Sequence, residues 1–119
     1  MGYTSANHRY QDTVDLTLAA SAARTTTANG DTTDAEGASV GYFKLDVTAA
    51  SGTSPTLDVT IQGQDSSGSW FDLVSYTQAT GVTAATKAVP LAGRKVRAKW
   101  TVGGTSPSFT FSVTGEGKR

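Results

Sequence analysis

The chain has 119 residues, with ten Lys and Arg against ten Asp and Glu, and no Cys. This length suits one domain of the usual ~100–150 residues with one modest core. Balanced charge argues against nucleic acid as a partner, and the missing Cys removes disulfides, thiolate nucleophiles and zinc–thiolate sites.

Residues 1–13 are polar, with Tyr3, His8, Arg9 and Tyr10 as their bulky members. They read as an N-terminal arm, either frayed or ordered against a partner, since Tyr and Arg are common binding anchors. No apolar run of signal-peptide type is visible there, and no stretch nears the ~20 apolar residues of a spanning helix. Folding in a reducing cytoplasm and no membrane partner are the corresponding expectations.

Residues 14–119 read as a single domain. Val14, Leu16 and Leu18 alternate with polar neighbours and predict the first strand. Residues 24–39 are small and polar around Asn29-Gly30 and predict a long loop. Residues 40–49 form the second strand, with Phe43, Leu45 and Val47 on one face. The corner Gly52-Thr53-Ser54-Pro55 then launches a third strand over 56–64, with Leu57, Val59 and Ile61 inward. Asp65 to Ser69 make a hairpin loop, and residues 70–77 a fourth strand. Its faces compete, Phe71 and Leu73 against Trp70, Val74 and Tyr76, as expected of a strand covered on both sides or bulged.

Residues 78–86 read as a loop and 88–91 as a short edge strand carrying Pro90. The sixth strand, 94–102, points Val96, Ala98, Trp100 and Val102 inward and Lys95, Arg97 and Lys99 outward. A second corner, Gly104-Thr105-Ser106-Pro107, launches the seventh strand with Phe109, Phe111 and Val113 on one face. Residues 115–119 read as a polar tail. Seven short strands with regular turn signals predict an all-β antiparallel β-sandwich or jelly roll of about seven to eight strands.

Chemistry is sparse. The one histidine, His8, lies in the arm, and no Ser sits in a nucleophile elbow. Asp46, Asp58 and Asp72 read as solvated surface carboxylates. A non-enzymatic protein without cofactor is therefore expected. Asn29, Asp31, Asp34 and Glu36 crowd one loop with Ca²⁺-type ligands, but the spacing fits no EF-hand, and no metal site is assigned. Trp70, after a hairpin loop, is a candidate sugar platform. The stripe Arg94, Lys95, Arg97, Lys99 is either a solvated, edge-protecting face or a docking surface for an acidic protein.

Three segments carry a resemblance. Residues 58–73 contain Gln62-Gly63, Asp65-Ser66-Ser67-Gly68-Ser69-Trp70 and Asp72-Leu73. Arg94-Lys95-Val96-Arg97-Ala98-Lys99-Trp100-Thr101-Val102 follows, then Gly104-Thr105-Ser106-Pro107-Ser108-Phe109-Thr110-Phe111. The pattern they form, from Asp58 to Phe111, spans about half of the chain, which resembles small β-sandwich virion structural proteins of tailed bacteriophages. The first segment is also similar to discoidin-type sugar-binding jelly rolls, without their paired cysteines. The phage resemblance implies a capsid decoration protein that stabilises the head from the capsid surface. Its implied partners are the major capsid protein or other virion proteins and further copies of itself. A carbohydrate-binding module of a fibre or head appendage, or a tail component, is the alternative.

Overall fold

The computed structural model describes residues 13–119. It is all-β, with no helix among the described residues and therefore none long and apolar enough to cross a membrane. Seven strands alternate with short turns: β1 (Thr13–Arg24), β2 (Ala28–Asn29), β3 (Thr33–Asp34), β4 (Val40–Gln64), β5 (Trp70–Ser75), β6 (Thr83–Pro90) and β7 (Lys95–Lys118). All pairings are antiparallel.

The frame is the pair β4 and β7, of 25 and 24 residues, which run side by side from Val40↔Lys118 to Gly63↔Val96. A straight strand of that length would span roughly 80 Å, far more than a domain of this size is wide. Both strands therefore bend together, at the two Gly-Thr-Ser-Pro corners, which lie opposite one another with Thr53 paired to Thr105. The fold-back brings the Trp100 and Phe111 rings of one strand into edge-to-face contact at 5.4 Å.

One continuous hydrogen-bonded sheet thus makes two layers. In the first, β1, the second half of β7, the first half of β4 and β6 lie in that order. In the second, β2 with β3, the first half of β7, the second half of β4 and β5 follow one another. The two layers correspond by an approximate two-fold that exchanges β4 with β7. Even the turns leading into these strands match. Ala38 N donates to Ala35 O and Arg94 N to Leu91 O, around Glu36 and Ala92 at φ 53° and 50°.

The core is one cluster filled by the alternate positions the sequence marks. Phe43, Leu45, Val47, Leu57, Val59, Ile61, Val96, Ala98, Phe109, Phe111 and Val113 are all fully buried. Burying such side chains contributes about 1.5–3 kcal/mol each, which makes this packing the main source of stability. Tyr76 lies among them, its hydroxyl donating to the Phe43 carbonyl across the layers at 2.5 Å.

Several expected boundaries are corrected. The second and third expected strands are one strand, as are the sixth and seventh. A Pro corner breaks the side-chain pattern yet does not interrupt a ladder that needs no N–H at that position. The expected loop over 78–86 is strand from Thr83, paired along the first half of β4. The expected loop over 24–39 holds β2 and β3, and the polar tail is the end of β7, paired to β1 and β4 as far as Lys118. Thr13, assigned to the arm, begins β1. In β5 the bulge expected from its competing faces is present: the register with β4 shifts between Ile61 and Gln62, which lets Asp72 face out while Val74 pairs with Ile61.

Candidate functional face of the second layer

Strand geometry puts Lys95, Arg97 and Lys99 of β7 on the outer side of the second layer, because their neighbours Val96, Ala98 and Trp100 are buried. Beside them on β4 stand Gln64, Gln62, Thr60 and Asp58, and beyond those, on β5 and the segment after it, Trp70, Asp72, Ser75 and Gln78.

This face is laced by side-chain hydrogen bonds that tie β4 to its neighbour. Gln78 Nε2 donates to Asp58 Oδ2 at 3.0 Å, the Thr60 and Ser75 hydroxyls lie 3.0 Å apart, and Gln62 Nε2 donates to Asp72 Oδ1 at 2.9 Å. Gln62 is only 7% exposed, and its other amide atom, Oε1, accepts from Arg97 Nε at 3.0 Å. A buried polar group must be paired, and here both ends are.

The structure joins two candidates that lay apart in the sequence. The Arg97 guanidinium lies over the Trp70 ring, 4.2 Å from its centroid, so stripe and aromatic platform meet in one cation–π stack. Arg94 makes the same contact at 5.0 Å with Phe71, a ring that is 38% exposed. Lys95 and Lys99 are exposed, and neither joins an ion pair among the described residues. Arg97 is thus held by a ring and an amide, flanked by two exposed cations. Arg97 and Trp70 are both half-buried in this stack, at the centre of the face. Tyr3, His8, Arg9 and Tyr10 lie outside the described residues.

The hairpin loop next to Trp70 is preorganised. Asp65 Oδ1 accepts from the backbone N–H groups of Ser67 and Ser69 at 2.9 and 3.0 Å and from the Ser67 hydroxyl at 2.6 Å. These bonds, led by the Ser67 hydroxyl, hold its carboxyl below the usual carboxylate range. The acidic loop is occupied differently: Asp34 Oδ1 accepts from Glu36 N–H at 2.8 Å, and no group of three His, Asp or Glu side chains converges among the described residues.

One residue that sequence reading passed over is Arg24, taken as the start of a loop. Its guanidinium lies 4.8 Å from the Trp100 ring centroid and 4.4 Å from that of Phe111, and donates to the carbonyls of Phe111, Ala20 and Ala22. Desolvation lowers its pKa from the usual arginine value. It closes the irregular end of β1, where the register shifts between Ala19 and Ala22, and its role is structural. No local pattern marks it, because both rings come from β7.

Neither a protein-family model nor a curated protein sequence matches the chain. Solved structures do. The fold is similar to that of the SPBc2 prophage-derived protein YomS, with a TM-score of 0.61 and 14% identity, over 91% of this chain and 94% of that one. It is similar also to the PBSX exported protein XepA, with a TM-score of 0.60 and 18% identity over 88% of this chain and 37% of that one. The VP2 subviral particle protein of infectious bursal disease virus follows, at 0.55 and 14% identity over 87% of this chain and 32% of that one. The likeness is one of fold, and the chain spans about a third of XepA and of VP2.

Proposed function

We propose that the chain is a non-enzymatic structural component of a bacteriophage particle, and within that class a decoration protein that docks on the outside of the assembled capsid. The observation that carries this reading is the match to prophage-derived YomS over nearly the whole of both chains. Fold likeness to VP2, from a viral particle, supports it, as does the resemblance of residues 58–73, 94–102 and 104–111 to small virion proteins.

The chemistry suits the role. A folded-over sheet with a single core is a rigid block, and anything that binds only the assembled shell stabilises that shell by mass action. Repetition over many equivalent sites makes modest contacts add. In this reading Arg94, Lys95, Arg97 and Lys99 meet acidic groups of the major capsid protein or another virion protein. Tyr3, His8, Arg9 and Tyr10 supply a second anchor, and copies contact each other on the shell. The test is co-sedimentation of the full chain with purified shells. Binding should fall steeply with salt, weaken on Lys95→Glu with Lys99→Glu, and be lost on deleting residues 1–13. Hundreds of copies per particle fit shell decoration; a handful, or rings and tubes formed with tail proteins, would refute it.

A further inference from the structure

The outer side of the first layer carries an aromatic residue that nothing above uses. Tyr42, in the first half of β4, is 61% exposed, the most open aromatic among the described residues. The others are committed. Trp70 and Phe71 lie under arginines, Trp100, Phe43, Phe109 and Phe111 are buried, and the Tyr76 hydroxyl is bonded in the core. Tyr42 has no ring contact or side-chain hydrogen bond.

Its surroundings form a shallow trough, widely open to solvent, of about 440 Å³. Across one side Tyr42 pairs with Ala88, too small to cover the ring; across the other it pairs with Glu116, which in turn pairs with Asp15. The next row along the sheet is Thr86, Lys44, Thr114 and Thr17. The two carboxylates directly opposite each other, Asp15 and Glu116, join no ion pair and accept no side-chain hydrogen bond among the described residues. Like charges in that position are unfavourable unless a ligand or solvent supplies donors.

From this juxtaposition we infer that the trough at Tyr42 is a binding site for a short, neutral saccharide. A sugar ring has an apolar C–H face that matches an open aromatic face, and a rim of hydroxyls that donate to carboxylates and exchange hydrogen bonds with threonines. An aromatic surface with a few convergent polar groups is the usual make-up of a small-ligand site. A nucleotide would set its phosphates against Asp15 and Glu116. At the other end of the trough Lys44, 3.9 Å from Asp46, adds an ammonium donor for a sugar hydroxyl.

This site is separate from the basic face of the second layer and stands whether or not the chain decorates a shell. It is tested on the full chain with a glycan array, followed by calorimetric titration of xylohexaose, cellohexaose and maltohexaose. At least one neutral glycan should bind with Kd below about 1 mM. Tyr42→Ala should weaken it by about tenfold or more, and Tyr42→Phe by no more than about threefold, since stacking survives. Trp70→Ala should leave it unchanged. Tyr42 lies outside the core, so an unaltered melting curve will show that the variant is folded. A silent array and titrations, binding that survives Tyr42→Ala, or binding removed by Trp70→Ala would each overturn the inference. So would an array that stays silent while Tyr42→Ala impairs binding to shells, which would make the trough a protein-docking surface.

Discussion

Gly52 and Gly104 each lock the other's corner. A Cβ at Gly52 would lie 2.8 Å from the Ser106 carbonyl oxygen and 2.9 Å from the Pro107 Cα. A Cβ at Gly104 would meet Ser54 O and Pro55 Cα at the same two distances. Their φ angles, 115° and 110°, agree as closely. Two backbones cross here with no room for a side chain, and the crossing is what turns one sheet into two layers. Gly52→Ala and Gly104→Ala should each destabilise by about 2–4 kcal/mol, from left-handed strain plus backbone displacement. The two losses should be similar, and the double variant should lose less than their sum, because the first displacement already opens the second corner. Urea midpoints of the three variants will measure this.

Ser54 and Ser106 sharpen the same point. Both hold φ near +49°, a region unfavourable for residues with a Cβ. Ser54→Gly and Ser106→Gly should each be neutral or stabilising by up to about 1 kcal/mol, whereas a β-branched Thr at either position should destabilise. Losses on Ser→Gly, read from thermal melts, would place the positive φ outside the energetics of the corner.

Tyr76 links the core to pH. Burial pushes its phenol up to about 12, because a phenolate in this position would lose its hydration. The unfolded chain titrates it near 10. The fold therefore keeps the full benefit of the neutral form below about pH 10 and loses it as pH climbs toward 12, a swing on the order of 2 kcal/mol. Tyr76→Phe gives up the bond to Phe43 O, costing about 1 kcal/mol at neutral pH. The variant should close that gap near pH 11 and overtake the parent above it. Denaturation series at pH 8, 10 and 11.5 compare the two directly; a constant gap would contradict the assignment.

Much of the core was legible because strand side chains alternate. Leu57, Val59 and Ile61, like Phe109, Phe111 and Val113, were placed inward from spacing alone and are buried. The same rule put Lys95, Arg97 and Lys99 on one face. Continuity through the corners was hidden, since Gly and Pro announce a break while the pairing that carries each strand past it comes from the other corner, far along the chain. β6 was partly missed because Thr83 to Ala88 lack large apolar residues; its ladder with β4 defines it. The contact between Trp70 and Arg97 was invisible for a further reason. Both face outward on strands separated by β4, and only the register on either side of Gln62 brings them together.

Arg24 shows how an arginine can serve a core without an acidic partner. Two rings and three carbonyls satisfy it, so both its planarity and its several donors matter. Arg24→Lys retains the charge but neither the stack nor the fork, and should lose about 1–2 kcal/mol. Arg24→Met retains the stem but leaves the Phe111 carbonyl without that donor, and should lose at least as much. Chemical denaturation will rank them; a lysine variant as stable as the parent would show that charge alone suffices.

The stack of Arg97 on Trp70 can be read optically, since the chain has two tryptophans and the other, Trp100, is 6% exposed with its Nε1 donating to Thr26 O. Emission from Trp70 is therefore the component that responds to the outer face. Arg97→Ala removes the guanidinium lid and unpairs Gln62 Oε1, so emission should shift to longer wavelength and acrylamide quenching should rise. The accompanying loss of stability should be about 1–2 kcal/mol, from the lost stack and the unpaired Gln62 Oε1. Arg97→Lys should behave nearly like the Ala variant, since a lysine ammonium cannot lie flat on the indole while donating to Gln62. Gln62→Ala should reproduce part of the shift by freeing Arg97 and Asp72 together. If none of the three moved the spectrum, Arg97 would not cover Trp70 in solution, and the stripe would be four independent cations in place of a face built around one fixed arginine.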